Sequence, residues 1–301
     1  MTARRTLCLG ECMVEMAPRE DGAYARNFAG DSFNTAWYLR RLLPPADQVD
    51  YGSAVGTDAI SEAMLAFMVE AGIGTAGIRR IADRTVGLYM IELKDGERSF
   101  SYWRGQSAAK LLAEDEAFLS DQLQHRDLVL FSGITLAILS PEHRAVLLSA
   151  IGTARRAGAL IAFDPNMRLR LWPDRQTMAE AVSEAARHAD IILPSFDEDG
   201  PTFGDATPEA TIARYSKAGA RTVVVKNGPG RIHAWDGQEG SVTFDPVPVS
   251  TVVDTTAAGD SFNAGFLAAR LSGTAMAEAL AAGARLSAQV IGKRGALVEI
   301  G

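Results

Sequence analysis

Four short apolar runs from about residue 125 onward restrict the chain's fold more than any other feature. They are "DLVLFSG" (127–133), "ALIAFDPN" (159–166), "DIILPS" (190–195) and "RTVVVKNG" (221–228). Each is rich in β-branched or aromatic residues and ends in polar or glycine-containing punctuation, the pattern of strands covered on both faces. The segments between them carry helix-start chemistry. Ser140-Pro141-Glu142 supplies an N-cap, a first-turn proline and an acid, and Gly158 can close that helix; Thr207-Pro208-Glu209 repeats the device. Strand and helix alternating in this order predict right-handed crossovers and a mostly parallel sheet flanked by helices, a three-layer α/β fold. Ligands of such sheets bind beyond the carboxyl ends of the strands. Polar residues collect there: Asp164, Asn166, Ser195, Lys226 and Asn227.

The first third reads differently. Thr85 to Arg104 contains two strand-like runs around Lys94-Asp95-Gly96, which predicts a β-hairpin. With the opening strand-like stretch "TLCLGECMVEM" it predicts a small antiparallel sheet projecting from the main body. No Pro/Gly/Ser-rich linker sets it apart, so the expectation is one domain over 1–301 with a lid built from segments near 10–30 and 85–105.

Composition excludes several function classes. A formal charge of −7 with scattered arginine pairs (Arg4-Arg5, Arg40-Arg41, Arg79-Arg80, Arg155-Arg156), read mostly as solvated faces, argues against a nucleic-acid partner. Two cysteines, Cys8 and Cys12, rule out a disulfide framework and favour a reducing compartment. The four histidines lie far apart and give no zinc-site spacing. Glu11 interrupts the N-terminal apolar run, so no secretory signal is read there, and no apolar stretch suits a bilayer. A cytoplasmic enzyme with no membrane partner is the expectation.

"GIGTAG" (Gly72–Gly77) satisfies the glycine pattern of a dinucleotide site, but that pattern works only after a strand and before a helix. Here it follows "DAISEAMLAFMVEA", an amphipathic helix, so Gly72 reads as its C-terminal cap. A Walker A motif is absent. The stretch "VVDTTAAGDSFNAGF" (Val252–Phe266) is a stronger candidate. Ala257, Ala258 and Gly259 lead into a helix whose Phe262, Phe266 and Leu267 suit a buried face. Helix-opening amides lack internal partners and sit at the electropositive end of the dipole, and small side chains let a phosphate approach them. Asp260 then has two readings on this stretch alone: a base that takes a proton from an attacking hydroxyl, or an ordinary helix cap.

Three further segments bear on that choice: "AGDSFNTAWYL" (Ala29–Leu39), "DPNMR" (Asp164–Arg168) and "KNGPGR" (Lys226–Arg231). In order with "DTTAAGDSF", they resemble the PfkB (ribokinase-like) family of carbohydrate kinases over essentially the whole chain. "DTTAAGDSF" is similar to the family's "DTxGAGD", and "AGDSFNTA" to its "GGxxxNxA". The resemblance implies a ribokinase-like fold and an ATP-dependent kinase using Mg²⁺. Asp260 is then the base, and Ala257, Ala258, Gly259 and Asp260 present the anion-binding amides. It places Gly30, Asp31 and Asn34 at the sugar hydroxyls, and Asn166 and Arg168 between acceptor and nucleotide. Ser195, Lys226, Gly228 and Gly230 fall with Ala258 and Gly259 at the nucleotide. Glu198 resembles the acid that organises magnesium's water shell, and Asp254 and Thr256 resemble positions near a monovalent cation such as K⁺.

"SYWRGQSAAKLL" (Ser101–Leu112) and "LPSFDED" (Leu193–Asp199) are similar to the branch acting on a sugar acid, 2-keto-3-deoxygluconate. A carboxylate calls for a guanidinium fork. Arg104 and Arg168 are the candidates, with Tyr89 and Tyr102 adding hydroxyl contacts from the lid. Three positions depart from the family pattern: Ala29 and Ala257 stand where glycine is usual, and Ser195 where asparagine is. The alternatives are a kinase for a neutral sugar, an NAD-dependent oxidoreductase using "GIGTAG", and a catalytically silent nucleotide binder. Exposed lid edges make a homodimer through the lid a further expectation.

Overall fold

The computed structural model describes residues 3–94 and 97–300. Strand β1 (Arg5–Leu9) is separated from β2 (Met13–Pro18) by Gly10, Glu11 and Cys12; β3 (Tyr24–Ala29) then runs through Gly30 into α1 (Asp31–Leu42). Next come β4 (Gln48–Val55), α2 (Ala59–Glu70), β5 (Ile78–Arg80), β6 (Leu88–Lys94) and β7 (Glu97–Trp103). The middle of the chain contributes α3 (Glu116–Gln122), β8 (Leu128–Ser132), α4 (Gly133–Ile138), α5 (Pro141–Arg156), β9 (Leu160–Asp164) and α6 (Arg175–Arg187). It is followed by β10 (Ile191–Ile192), α7 (Phe196–Phe203), α8 (Pro208–Lys217) and β11 (Thr222–Val225). The chain closes with β12 (Ile232–Asp236), β13 (Gly240–Phe244), α9 (Ala258–Leu271) and α10 (Met276–Ile291).

Nine strands form the main sheet in the order β13-β12-β11-β10-β9-β8-β1-β4-β5. Pairing is parallel from β11 to β5, and β12 and β13 add an antiparallel edge. This is the expected three-layer arrangement. One core includes Phe33, Tyr51, Phe262 and Phe266 with the α1, α2, α9 and α10 layer; the other includes Phe131, Phe163, Leu147 and Val182 from the opposite layer. The helix caps follow the chemistry of the sequence. Ser140 Oγ accepts from the His143 amide and Thr207 Oγ1 from that of Ala210, each ahead of a first-turn proline. Gly72 and Gly158 take positive φ just past α2 and α5.

A second sheet has the order β3-β2-β6-β7. Two expectations are corrected here. The opening stretch is not one strand beside the hairpin: β1 belongs to the main sheet and only β2 crosses to the small one. A Cβ on Gly10 would lie 2.2 Å from Ser32 Oγ, so the chain changes sheets at a position kept free of side chain. The small sheet is also mixed, since β2 pairs parallel with β6 while β2–β3 and β6–β7 are antiparallel. The Asp95-Gly96 tip of the expected hairpin lies outside the described residues.

The arginine pairs are less solvated than their sequence suggests. Arg40 donates to the carbonyls of Leu43 and Pro44, Arg79 to that of Leu111, and Arg155 to Asp190 and the Arg187 carbonyl. They tie loops to the body. Gly72–Gly77 connects α2 to β5, with Gly74 bonded along β4, and opens no helix. Among the described residues no helix is long and apolar enough to cross a membrane.

Candidate active site

The opening of α9 is built without a side-chain cap. Ala257, its N-cap residue, adopts φ 60, ψ 16, the left-handed region, and makes no capping bond. An L-residue there costs on the order of 1–2 kcal/mol. The loop before it is held by Asp254, whose carboxylate accepts from the amides of Thr256 (2.9 Å) and Gly295 (2.8 Å). The Ala258 amide, expected among the anion-binding amides, donates to the Thr255 carbonyl at 3.2 Å, and the other helix-opening amides, which no side chain covers, remain open to an external acceptor. They face a cavity of about 470 Å³ whose lining includes Thr255, Ala257, Ala258, Gly259 and Asp260.

Asp260 stands in the first turn of α9 and is anchored from α1. Asn34 Nδ2 donates to its Oδ2 at 2.8 Å, and Thr35 Oγ1 donates to its backbone carbonyl at 3.2 Å. Asn34, expected at the sugar hydroxyls, therefore spends its amide on Asp260, while its Oδ1 accepts from the Gly30 amide at 3.3 Å. The Asp260 carboxyl is pushed up to about 8, first by desolvation, then by the negative charge of Asp31, with Asp164 adding to it and Asn34 and Lys226 opposing. Asp31 is itself raised, mainly by burial. It accepts from Asn166 Nδ2 (2.8 Å) and from the Ser32 amide (2.7 Å).

The carboxyl ends of β9 and β11 supply the opposite wall. Lys226 Nζ donates to Asp164 Oδ2 and Asn263 Oδ1, both at 3.1 Å, and Asn263 Nδ2 donates to Asp164 at 2.6 Å. The ammonium lies under the α9 N-terminus: a Cβ on Gly259 would be 3.6 Å from it. Arg168 pairs with Glu198, which also accepts from the Met167 amide at 2.9 Å. Asp31, Asp164, Asn166, Arg168, Ser195, Glu198 and Lys226 all line the same cavity as Asp260.

Other expected residues lie elsewhere. Gly228 and Gly230 occupy the turn between β11 and β12, outside that lining, with Gly228 at φ 54. Tyr89, Tyr102 and Arg104 are on the small sheet or at its end and do not line the cavity. Tyr89 and Tyr102 are register partners with rings 5.8 Å apart. Tyr89 donates to Glu15, Tyr102 accepts from Arg170, and Arg104 pairs with Glu11. Asp254 and Thr256 line a neighbouring cleft of about 670 Å³ with Glu15, Asn27 and Arg294, between the small sheet and the α9 loop. Asn263, Glu11 and Arg170 were not among the sequence candidates. A polar residue one turn after Asp260 on an apolar helix face, and an acid inside an apolar run, were the available signals.

An anion-ready helix mouth, an adjacent acid and a cation beneath it suit phosphoryl transfer. Residues 3–299 match the pfkB family carbohydrate kinase model, and the chain belongs to that family. It is 38% identical over 303 residues to the 2-dehydro-3-deoxygluconokinase of Escherichia coli (strain K12), covering 98% of this chain and 97% of that protein. The crystal structure of a PfkB protein from Polaromonas sp. JS666 superimposes with a TM-score of 0.83 at 28% identity, over 96% of both chains. That of a fructokinase with bound ATP from Xylella fastidiosa gives 0.81 at 25% identity, over 97% of this chain and 93% of the other.

Proposed function

We propose that this carbohydrate kinase transfers the γ-phosphoryl group of ATP to the terminal hydroxyl of 2-keto-3-deoxygluconate, giving its 6-phosphate. The observation that carries the reading is the Asp260 carboxyl at the uncapped mouth of α9, lining a cavity and held by a neutral amide instead of a cation. Asp260 takes the proton of the 6-hydroxyl as that oxygen attacks phosphorus. The bond from phosphorus to the β,γ-bridging oxygen breaks, and ADP leaves with the electron pair. The amides of Ala257, Gly259 and Asp260 stabilise charge on the transferred group, and Lys226 does so from below. Arg104 and Arg168 recognise the sugar carboxylate, with Tyr89 and Tyr102 beside them; Gly30 and Asp31 lie at the sugar, Asn166, Ser195, Gly228 and Gly230 toward the nucleotide. The small sheet acts as a lid that excludes water.

Among the described residues no three histidine, cysteine or carboxylate side chains converge as a metal cage. The oxygen-rich wall nonetheless fits Mg²⁺, which keeps waters and binds largely through phosphates. Glu198 would hold it through water, and when bound it shields the negative charge of the ATP phosphates. Asp254 and Thr256 are the proposed neighbours of a monovalent cation, K⁺. The edge strands β3 and β7, with Tyr24, Phe100 and Trp103 exposed, are proposed as the surface of a homodimer.

The test is a panel of sugar acids and neutral sugars with ATP, read by ADP release. Turnover is expected with 2-keto-3-deoxygluconate at a kcat/KM at least a hundredfold above that with fructose or ribose. A preference for a neutral sugar would overturn the substrate assignment.

A further inference from the structure

Glu11 lies in the three-residue link between β1 and β2 and is 2% exposed, too enclosed to touch a substrate. Two glycines clear the space around it. A Cβ on Gly30 would lie 2.1 Å from the Glu11 carbonyl oxygen; one on Gly87 would lie 2.7 Å from Glu11 Oε1 and 3.3 Å from Arg104 Cβ. The backbone of separate segments is thus kept bare where Glu11 and Arg104 meet. Their contact is nevertheless incomplete. Arg104 Nη2 donates to Glu11 Oε2, while Glu11 Oε1 and Arg104 Nε are buried with no hydrogen-bond partner among the described residues. Arginine and carboxylate commonly pair through two parallel bonds, and open buried polar atoms are few in native proteins. Here the guanidinium is gripped at one corner: Nε is enclosed beside Glu11, while the side chain is 12% exposed and its Nη1 donors have no partner among the described residues.

We infer that Glu11 is a positioning residue for recognition of the sugar acid, holding Arg104 from behind so that its remaining Nη donors meet the substrate carboxylate. The inference rests on the assignment of Arg104 to that carboxylate in the proposed function. Glu11 acts through Arg104 alone, so it sets affinity for the acid and leaves ATP binding and the phosphoryl step untouched.

Steady-state kinetics of the full chain with 2-keto-3-deoxygluconate and ATP test this in Glu11→Gln, Arg104→Ala and the double variant. Glu11→Gln is expected to raise KM for the sugar acid about tenfold, because a charge-assisted bond becomes a neutral one. The KM for ATP and kcat should stay within about twofold, and the double variant should match Arg104→Ala alone, as expected when one residue acts through the other. A parental KM in Glu11→Gln, a matching rise in KM for ATP, or a double variant worse than Arg104→Ala by the full Glu11→Gln factor would each overturn the inference. If Arg104→Ala itself leaves KM unchanged, the carboxylate assignment falls and takes this inference with it. A silent Glu11→Gln beside a damaged Arg104→Ala removes the inference alone. Should a thermal melt show Glu11→Gln unfolded, Gly87→Ala, which displaces Oε1, is expected to give the same selective rise in KM, and a parental KM there sinks the inference.

Discussion

The first turns of α9 and α7 each contain an aspartate made a weaker acid by burial, Asp260 at about 8 and Asp199 at about 6. Their surroundings differ in kind. Asp199 is fully buried, and its Oδ1 accepts from Tyr215 Oη at 2.6 Å and Arg214 Nη2 at 2.8 Å. The guanidinium of Arg214 is stacked 3.7 Å from the Phe203 ring centroid and also bonded to Asp205. Asp260 has a neutral amide, two carboxylates that oppose its ionisation, and a cavity beside it. Desolvation alone makes a carboxyl hold its proton; access, and the absence of a cation bonded to it among the described residues, suit Asp260 to the role of base proposed for it.

The largest expected effect separates the two directly. Asp260→Asn should lower kcat by about a thousandfold, within the usual range for a positioned base, with ATP affinity within a few-fold by calorimetry. Asp199→Asn should change kcat less than about threefold, as expected of a side chain that touches no reacting atom. Near-parental turnover in the first, or equal damage in the second, would break the contrast. A pH profile sharpens it. Because the base must be ionised, kcat/KM should rise with pH and level off above about 8. Asp31→Asn removes a like charge and should move that limb down by about one unit; an unmoved limb would assign it to another group.

Stability gives a third comparison. Both carboxyls bind protons more tightly folded than unfolded, so each contributes fully below about pH 4 and loses that contribution as pH rises through its folded value. The melting temperature of Asp199→Asn relative to the parent should therefore improve from pH 4 to about 7 and then level. That of Asp260→Asn should keep improving to about pH 9, and parallel curves would contradict the difference in environment. The smallest effect concerns the helix ends. Gly204 closes α7 in the left-handed region (φ 75), where glycine is unstrained, whereas Ala257 opens α9 there. Ala257→Gly should raise the melting temperature by about 1–2 °C, roughly 1 kcal/mol; a fall would mean that the alanine methyl contributes packing.

What was legible in the sequence was local. Strand runs, the Ser140 and Thr207 caps, and the small residues before Asp260 each carry their signal within a few positions. The split of the opening stretch was not legible, because Cys8 and Val14 look alike as apolar strand residues while belonging to different sheets. Partnerships across the chain had no local mark either. Asn263 meets Asp164 across 99 positions and Glu11 meets Arg104 across 93. Only the fold reveals that Asn34 faces Asp260 and that the arginine pairs fasten loops.

The joints of the small sheet bound how far it can travel. Gly10 to Cys12 reach at most about 11 Å when extended, and Gly30 alone stands between β3 and α1. If the small sheet is the proposed lid, so short a leash would let it tilt but not swing, and the tilt would pull on the helix that carries Asn34. Under the proposed lid role, movement above the sugar would thereby be geared to the orientation of the Asp260 carboxylate below it.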